Sequence, residues 1–256
     1  MGAFTRVKIF IHPTCAVSYK LVRHLAERGK LDSVELVDVT DPRVVLREGA
    51  LSVPFVVYEG VPAATDPLDP REVEEMIEGV YEPSIGDPLE AVRDALIHSS
   101  FAAAVALLHD DPTVGLTREL VAAALRTPFT KLDPERVLQE VYARRLELWK
   151  EWRDMVARAL GVSFVRELWW SLDGRLDPET LKEHVRRGAV RLWLLAKASI
   201  GRSGLPWRPS SMPDAVRSVE RFVERGAVGL IRKIEREQKE IMNDEEYWRI
   251  LRERLQ

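Results

Sequence analysis

The chain has 256 residues, 46% of them hydrophobic and 31% charged, with a net charge of −3; this is the composition of a folded chain with a full core, and its length suits two domains. Acids and bases are interspersed without a basic block, which argues against nucleic acid as a partner, and no apolar run reaches the roughly 18 residues of a membrane span. A single cysteine excludes an internal disulfide, so any disulfide must be with another molecule.

Val7 to Ile11 reads as a buried strand, broken by Pro13 and Thr14. A helical pattern starts at Cys15 and runs through Leu21, Val22 and Leu25 to a C-capping Gly29. Val34 to Val39 alternates apolar and acidic residues as a half-buried strand does. Asp41-Pro42 opens a short helix ending near Gly49. Ser52 to Tyr58 reads as a third strand, Glu59-Gly60 as a tight turn and Val61 to Ala64 as a fourth strand, placed at a sheet edge by Pro62. Asp69-Pro70 starts a helix through Val73, Met76 and Ile77. Strands alternating with helices imply a parallel pair, to which the hairpin adds antiparallel strands.

Residues 83–87 read as a linker, which divides the chain into an α/β domain over 1–82 and an all-α domain over 88–256. Helices are expected at Asp87-Pro88, Asp111-Pro112, Asp133-Pro134 and Asp177-Pro178, each with a capping acid before a proline that tolerates the first turn. The helix after Asp133 is expected to bury Leu138, Val141, Tyr142, Trp149, Trp152 and Val156. The helix near Asp214 carries Val216, Val219, Val223, Ala227, Leu230, Ile234 and Ile241 as one stripe, with Ser211 and Asp214 in a capping-box pattern. Arg232 to Arg254 reads as a solvated charged face with pairs such as Glu235 and Lys239, and Gly201 to Pro213 as a loop.

The chemistry concentrates at His12-Pro13-Thr14-Cys15-Ala16-Val17-Ser18, between a strand and a helix. A thiol there feels the helix N-terminal field and unpaired N–H groups, which favour the thiolate. Ser18, one turn on, can donate to it and cannot replace a second thiol. In Ser52-Val53-Pro54, a proline at a strand start suits a cis bond, leaving the Val53 backbone open to an extended peptide beside Cys15. The histidines show no metal-ligand spacing and no second cysteine supports zinc, so no metal site is expected.

The element order, Cys15-x-x-Ser18 and Val53-Pro54 together resemble the thioredoxin superfamily, most closely glutaredoxins and the N-terminal domain of glutathione transferases, over roughly residues 6 to 80. The resemblance implies a reactive Cys15, a cis Pro54 and a groove between them. It also implies that Val53 bonds the cysteinyl part of glutathione and that Thr65 and Asp66 hold its γ-glutamyl group. Ala16 departs from the usual proline, Cys-Ala-Val-Ser departs from the cluster-binding Cys-Gly-Phe-Ser, and Tyr19 departs from the arginine of the similar arsenate reductase loop.

The first expectation is a monothiol protein. Cys15 and Ser18 carry thiol–disulfide or thiol-transfer chemistry, Val53, Pro54, Thr65 and Asp66 bind substrate, and the helical domain selects a protein or small disulfide partner. No bound cofactor is expected, with glutathione or another small thiol as possible co-substrate. A non-catalytic adaptor and a glutathione-transferase-like enzyme are the alternatives. With one asparagine and three glutamines, and arginine well above lysine, the composition suggests a thermophile. Met1 to Lys8 lacks a signal-peptide apolar run, so a cytoplasmic place is expected.

Overall fold

The computed structural model describes residues 6–40, 42–199, 204–206 and 210–255. Asp41 and residues 201–203 and 207–209 of the expected Gly201–Pro213 loop lie outside the described residues, and Ser211 to Pro213 are helical rather than loop. The chain packs as two compact units, each built from separated segments. One comprises Met1–Ala95, Thr117–Gln139 and Glu240–Gln256, and the other Leu96–Leu116 and Glu140–Lys239.

The first unit opens with strand β1 (Val7–Ile11), helix α1 (Ala16–Glu27), strand β2 (Val34–Asp38) and helix α2 (Pro42–Glu48). Strands β3 (Phe55–Tyr58) and β4 (Val61–Thr65) and helix α3 (Pro70–Glu78) follow. The sheet order is β2-β1-β3-β4, with β1 and β2 parallel and the other pairs antiparallel. This is a small mixed sheet with helices, as the alternating elements require. β4 lies at the edge, where Pro62 removes a donor at no cost to the ladder. The third strand begins at Phe55, three residues after the expected start, because Ser52 to Pro54 turn beside the Cys15 loop.

The period of two along the strands assigns the two faces. Val7, Ile9 and Ile11 of β1 and Val56 of β3 share a core with Leu21, Val22 and Leu25 of α1 and with Val73 and Met76 of α3. Phe10 of β1, with Phe55 and Val57 of β3, forms the opposite core with Ala50. Helix α4 (Pro88–His98) follows residues 81–87, which hold no regular structure. Helix α5 spans Ser100–His109, and helix α6 (Arg118–Ala124) contributes Ala123 to that opposite core. α3 ends on Gly79 at φ 73°, a left-handed cap that glycine adopts without a Cβ penalty.

The remaining helices are α7 (Pro134–Ser171), α8 (Pro178–Arg186), α9 (Ala189–Lys197), α10 (Ser211–Asn243) and α11 (Glu245–Arg254). After α4 there is no strand among the described residues. The Asp-Pro expectation is met by helices at Pro88, Pro134 and Pro178, and the Asp177 carboxylate accepts from Thr180 N–H at 2.8 Å. Asp111-Pro112 instead starts only a 3₁₀ turn, Pro112–Val114, whose first bonds Asp111 caps at 2.9 Å. Gly115 ends it, close enough to α5 that a Cβ would lie 2.2 Å from the Ala102 carbonyl oxygen.

In the second unit α5 is the most apolar helix, and Ala102 to Leu108 are all buried. Trp149, Trp152 and Trp169 of α7 are core residues, as is the stripe Val216, Val219, Val223, Ala227, Leu230 and Ile234 of α10. Tyr142 is 60% exposed and not part of the α7 core; Val137, one helical turn before Val141, is buried instead. Gln238 continues the α10 stripe as its one polar member, fully buried, and accepts from the Trp170 indole N–H at 2.7 Å. Ser211 lies inside the first turn of α10 and its hydroxyl donates to the Leu108 carbonyl. No single helix among the described residues is long and apolar enough to cross a membrane.

Candidate functional site

Cys15 is the N-cap of α1, with extended backbone (φ −78°, ψ 122°) and half-buried. Its N–H donates to the His12 carbonyl at 3.0 Å, and its carbonyl accepts from Tyr19 N–H at 2.8 Å. The loop is stiffened by His12 Nδ1, which accepts from Thr14 N–H at 3.2 Å and lies 2.9 Å from the Thr14 hydroxyl. The Cys15 side chain therefore projects from a fixed turn.

The Val53–Pro54 bond is cis, and it lies directly against this turn. The Cys15 thiol donates to the Val53 carbonyl at an S···O distance of 3.6 Å. The Val53 N–H makes no hydrogen bond among the described residues. Thr65, fully buried at the end of β4, donates its hydroxyl to the Pro54 carbonyl at 3.1 Å. Asp66 follows, half-buried and joined by a second cis bond to Pro67. Five of the six residues singled out in the sequence thus line one end of the sheet, and Ser18 adds the sixth from the first turn of α1.

Ionisation of the thiol is set by opposing effects. Burial raises its pKa most strongly, and the nearby Asp66 charge raises it further. The Ser18 hydroxyl and the backbone N–H groups of Ser18 and Val17 act the other way, as a helix start should. The net result is a Cys15 pKa above the ordinary thiol value. The helix-field argument has the right sign and is outweighed by desolvation. The resting thiol is neutral, as its donation to Val53 requires. The Ser18 hydroxyl is fully buried and has no hydrogen-bonded partner among the described residues in the resting state; the Ser52 hydroxyl is likewise buried and unsatisfied.

Sequence reasoning missed the contribution of α11. Tyr247 is fully buried, donates to the Pro13 carbonyl at 2.9 Å and meets Tyr19 edge-on at 5.0 Å. The Tyr19 hydroxyl donates to Asp244 at 3.0 Å. Burial first, then the Asp244 carboxylate, pushes the Tyr19 phenol up to about 12. The stretch from Arg232 to Arg254 is therefore only partly a solvated face: Glu235 and Lys239 do pair at 2.7 Å, but Ile241, Tyr247, Ile250 and Leu251 enter the core under α1. The 247, 250, 251 spacing signals a buried face but not the surface it covers.

A second network lies behind Asp66. Arg126, almost wholly buried, donates from Nε to Glu72 Oε2 at 3.0 Å and from Nη2 to the Pro67 carbonyl at 2.8 Å. The Tyr81 hydroxyl donates to the same Glu72 oxygen at 2.5 Å. Burial alone would raise the Glu72 carboxyl, yet the Arg126 guanidinium and the Tyr81 hydroxyl hold it below its ordinary value. This pair fixes the segment that carries Asp66 and Pro67.

No family model, no curated protein and no solved structure matches the chain. The structure is an α/β region with a small mixed four-stranded sheet, a helical region, and one half-buried thiol at the end of the sheet.

Proposed function

We propose that this is a thioredoxin-like monothiol protein that performs thiol–disulfide exchange through Cys15. The observation that carries the reading is the thiol at the α1 N-cap, 3.6 Å from the carbonyl of a cis Val53–Pro54 pair. The open Val53 N–H supports it, being the group an extended peptide or glutathione would pair with. The unsatisfied Ser18 hydroxyl also supports it, since a developing thiolate would give that donor an acceptor.

In the reaction Cys15 loses its proton to solvent and the thiolate attacks one sulfur of a disulfide. The Cys15–sulfur bond forms, the original S–S bond breaks, and the second sulfur leaves as thiolate. With one cysteine in the chain, an external thiol must resolve the mixed disulfide. Glutathione or another small thiol fits that role, and the helical region is assigned partner selection.

The test is the intact mass of the native chain after incubation with oxidised glutathione, with Cys15→Ser as control. One glutathione adduct, removed by reduced glutathione, is expected. An adduct that forms only when the chain is unfolded in urea would overturn the reading. That outcome would favour the second one, a non-catalytic adaptor, whose specific support is the raised thiol pKa beside a fully buried Tyr247. A glutathione-transferase-like activity has less support, because Thr65 commits its hydroxyl to Pro54.

A further inference from the structure

The second unit holds a groove of about 410 Å³ between α7 and α10. The close approach of the two helices sets its position: a Cβ on Gly161 would lie 2.4 Å from the Phe222 ring, so only glycine permits the contact. Beside that contact Ala157, Ser218 and Gly226 are small, and their shared lack of bulk opens the groove. The Ser218 hydroxyl is turned to its own helix, donating to the Ala215 carbonyl at 2.7 Å. The Phe222 ring supplies an apolar wall.

Three arginines line this space: Arg158 from α7, and Arg221 and Arg225 from α10. Among the described residues none of them holds a carboxylate; Arg221 donates only to the Arg217 carbonyl, at 3.2 Å. Some arginines of the same helices do pair, whereas Arg136, Arg232 and Arg236, away from the groove, hold no carboxylate among the described residues either. On the same two helices Arg153 pairs with Asp110 at 3.1 Å, Arg166 with Glu237 at 2.9 Å, and Arg217 with Asp214. Arg221 and Arg225 are four residues apart on one helix, where like charges repel. Asp154 is four residues before Arg158 and also lines the groove, yet the two form no ion pair. Three cations against one anion give the lining an excess of two positive charges, in a chain whose net charge is −3.

Guanidinium groups suit oxyanions because their planar donors meet two oxygens at once. Three of them around a space larger than one phosphate match a compact ligand carrying two linked phosphates, and the volume lies within the range of small-molecule sites. We propose that the groove binds a phosphorylated small molecule of the diphosphate class through Arg158, Arg221 and Arg225, with Asp154 setting a limit on affinity.

The test uses the full chain and inorganic pyrophosphate, titrated calorimetrically in metal-free, low-salt buffer. Saturable binding at one site per chain is expected. The double variant Arg221→Gln with Arg225→Gln should weaken it by at least about tenfold, as loss of two charge-assisted contacts implies. Asp154→Asn should tighten it, and Arg175→Gln, at an exposed ion pair with Asp173, should leave it unchanged. Circular dichroism melts check that each variant is folded. Absence of saturation would overturn the proposal, and so would equal affinity in the double variant and the parent. Failure of the double variant to fold would leave the Asp154→Asn titration to decide: unchanged affinity there would also overturn it.

Discussion

At Cys15 the competing effects have worked-out signs. Burial and Asp66 favour the neutral thiol, so thiolate appears only as pH rises past a raised pKa. The rate of alkylation by iodoacetamide, followed by mass against pH, should have its midpoint above that of the unfolded chain. Asp66→Asn removes a nearby negative charge and should lower the midpoint. Ser18→Ala removes the opposing donor and should raise it, with little loss of stability because the hydroxyl is unsatisfied. Preference for the neutral thiol stabilises the fold fully below the unfolded thiol pKa and is lost as pH rises through the folded one. The Cys-x-x-Ser spacing and the Val-Pro pair were legible in the sequence, as was their proximity. The direction of the pKa shift was not. Burial is a sum over side chains brought from elsewhere, Tyr247 among them, 234 residues from the carbonyl it bonds.

Local rules served the elements well wherever the chain alone decides. Apolar runs, one alternating segment and turn residues located all four strands, and aspartate before proline located helix starts. They failed at Asp111-Pro112, where the following Gly115 packs against the α5 backbone and permits only one turn. The Ser99 hydroxyl, which accepts from Ala102 N–H at 3.2 Å, caps the buried α5; Ser99→Ala should cost about 1–2 kcal/mol in a denaturant titration. The Arg126–Glu72 pair joins residues 54 positions apart and had no signal in either segment. Arg126→Ala would leave a part-buried carboxylate without its cation. A loss of about 3–5 kcal/mol is expected by urea unfolding at neutral pH. In the parent chain Glu72 has a depressed pKa, so its contribution is present above the ordinary carboxylate value and is lost as pH falls through the folded one. The variant should therefore show a flatter acid limb.

For the molecule as a whole, composition and periodicity conveyed an α/β region and a helical one. They did not convey that Thr117–Gln139 and Glu240–Gln256 return to the unit that holds the sheet. Amphipathic helices display which face is buried and leave the partner surface unspecified, since any apolar face will serve. Removing residues 245–256 should thus do more than shorten the chain. Tyr247, Ile250 and Leu251 belong to the core shared by α1, α3 and the sheet, so the truncated protein should lose cooperative melting and bind a dye specific for exposed apolar surface. Cooperative melting retained at the parent temperature would contradict that role. The solitary thiol has a practical corollary. Whatever bonds covalently to a thiol here has one place to go, so occupancy can be read from the weight of the undigested polypeptide. A partner caught there also stays caught until some outside reductant frees it, which makes the natural chain its own trapping reagent.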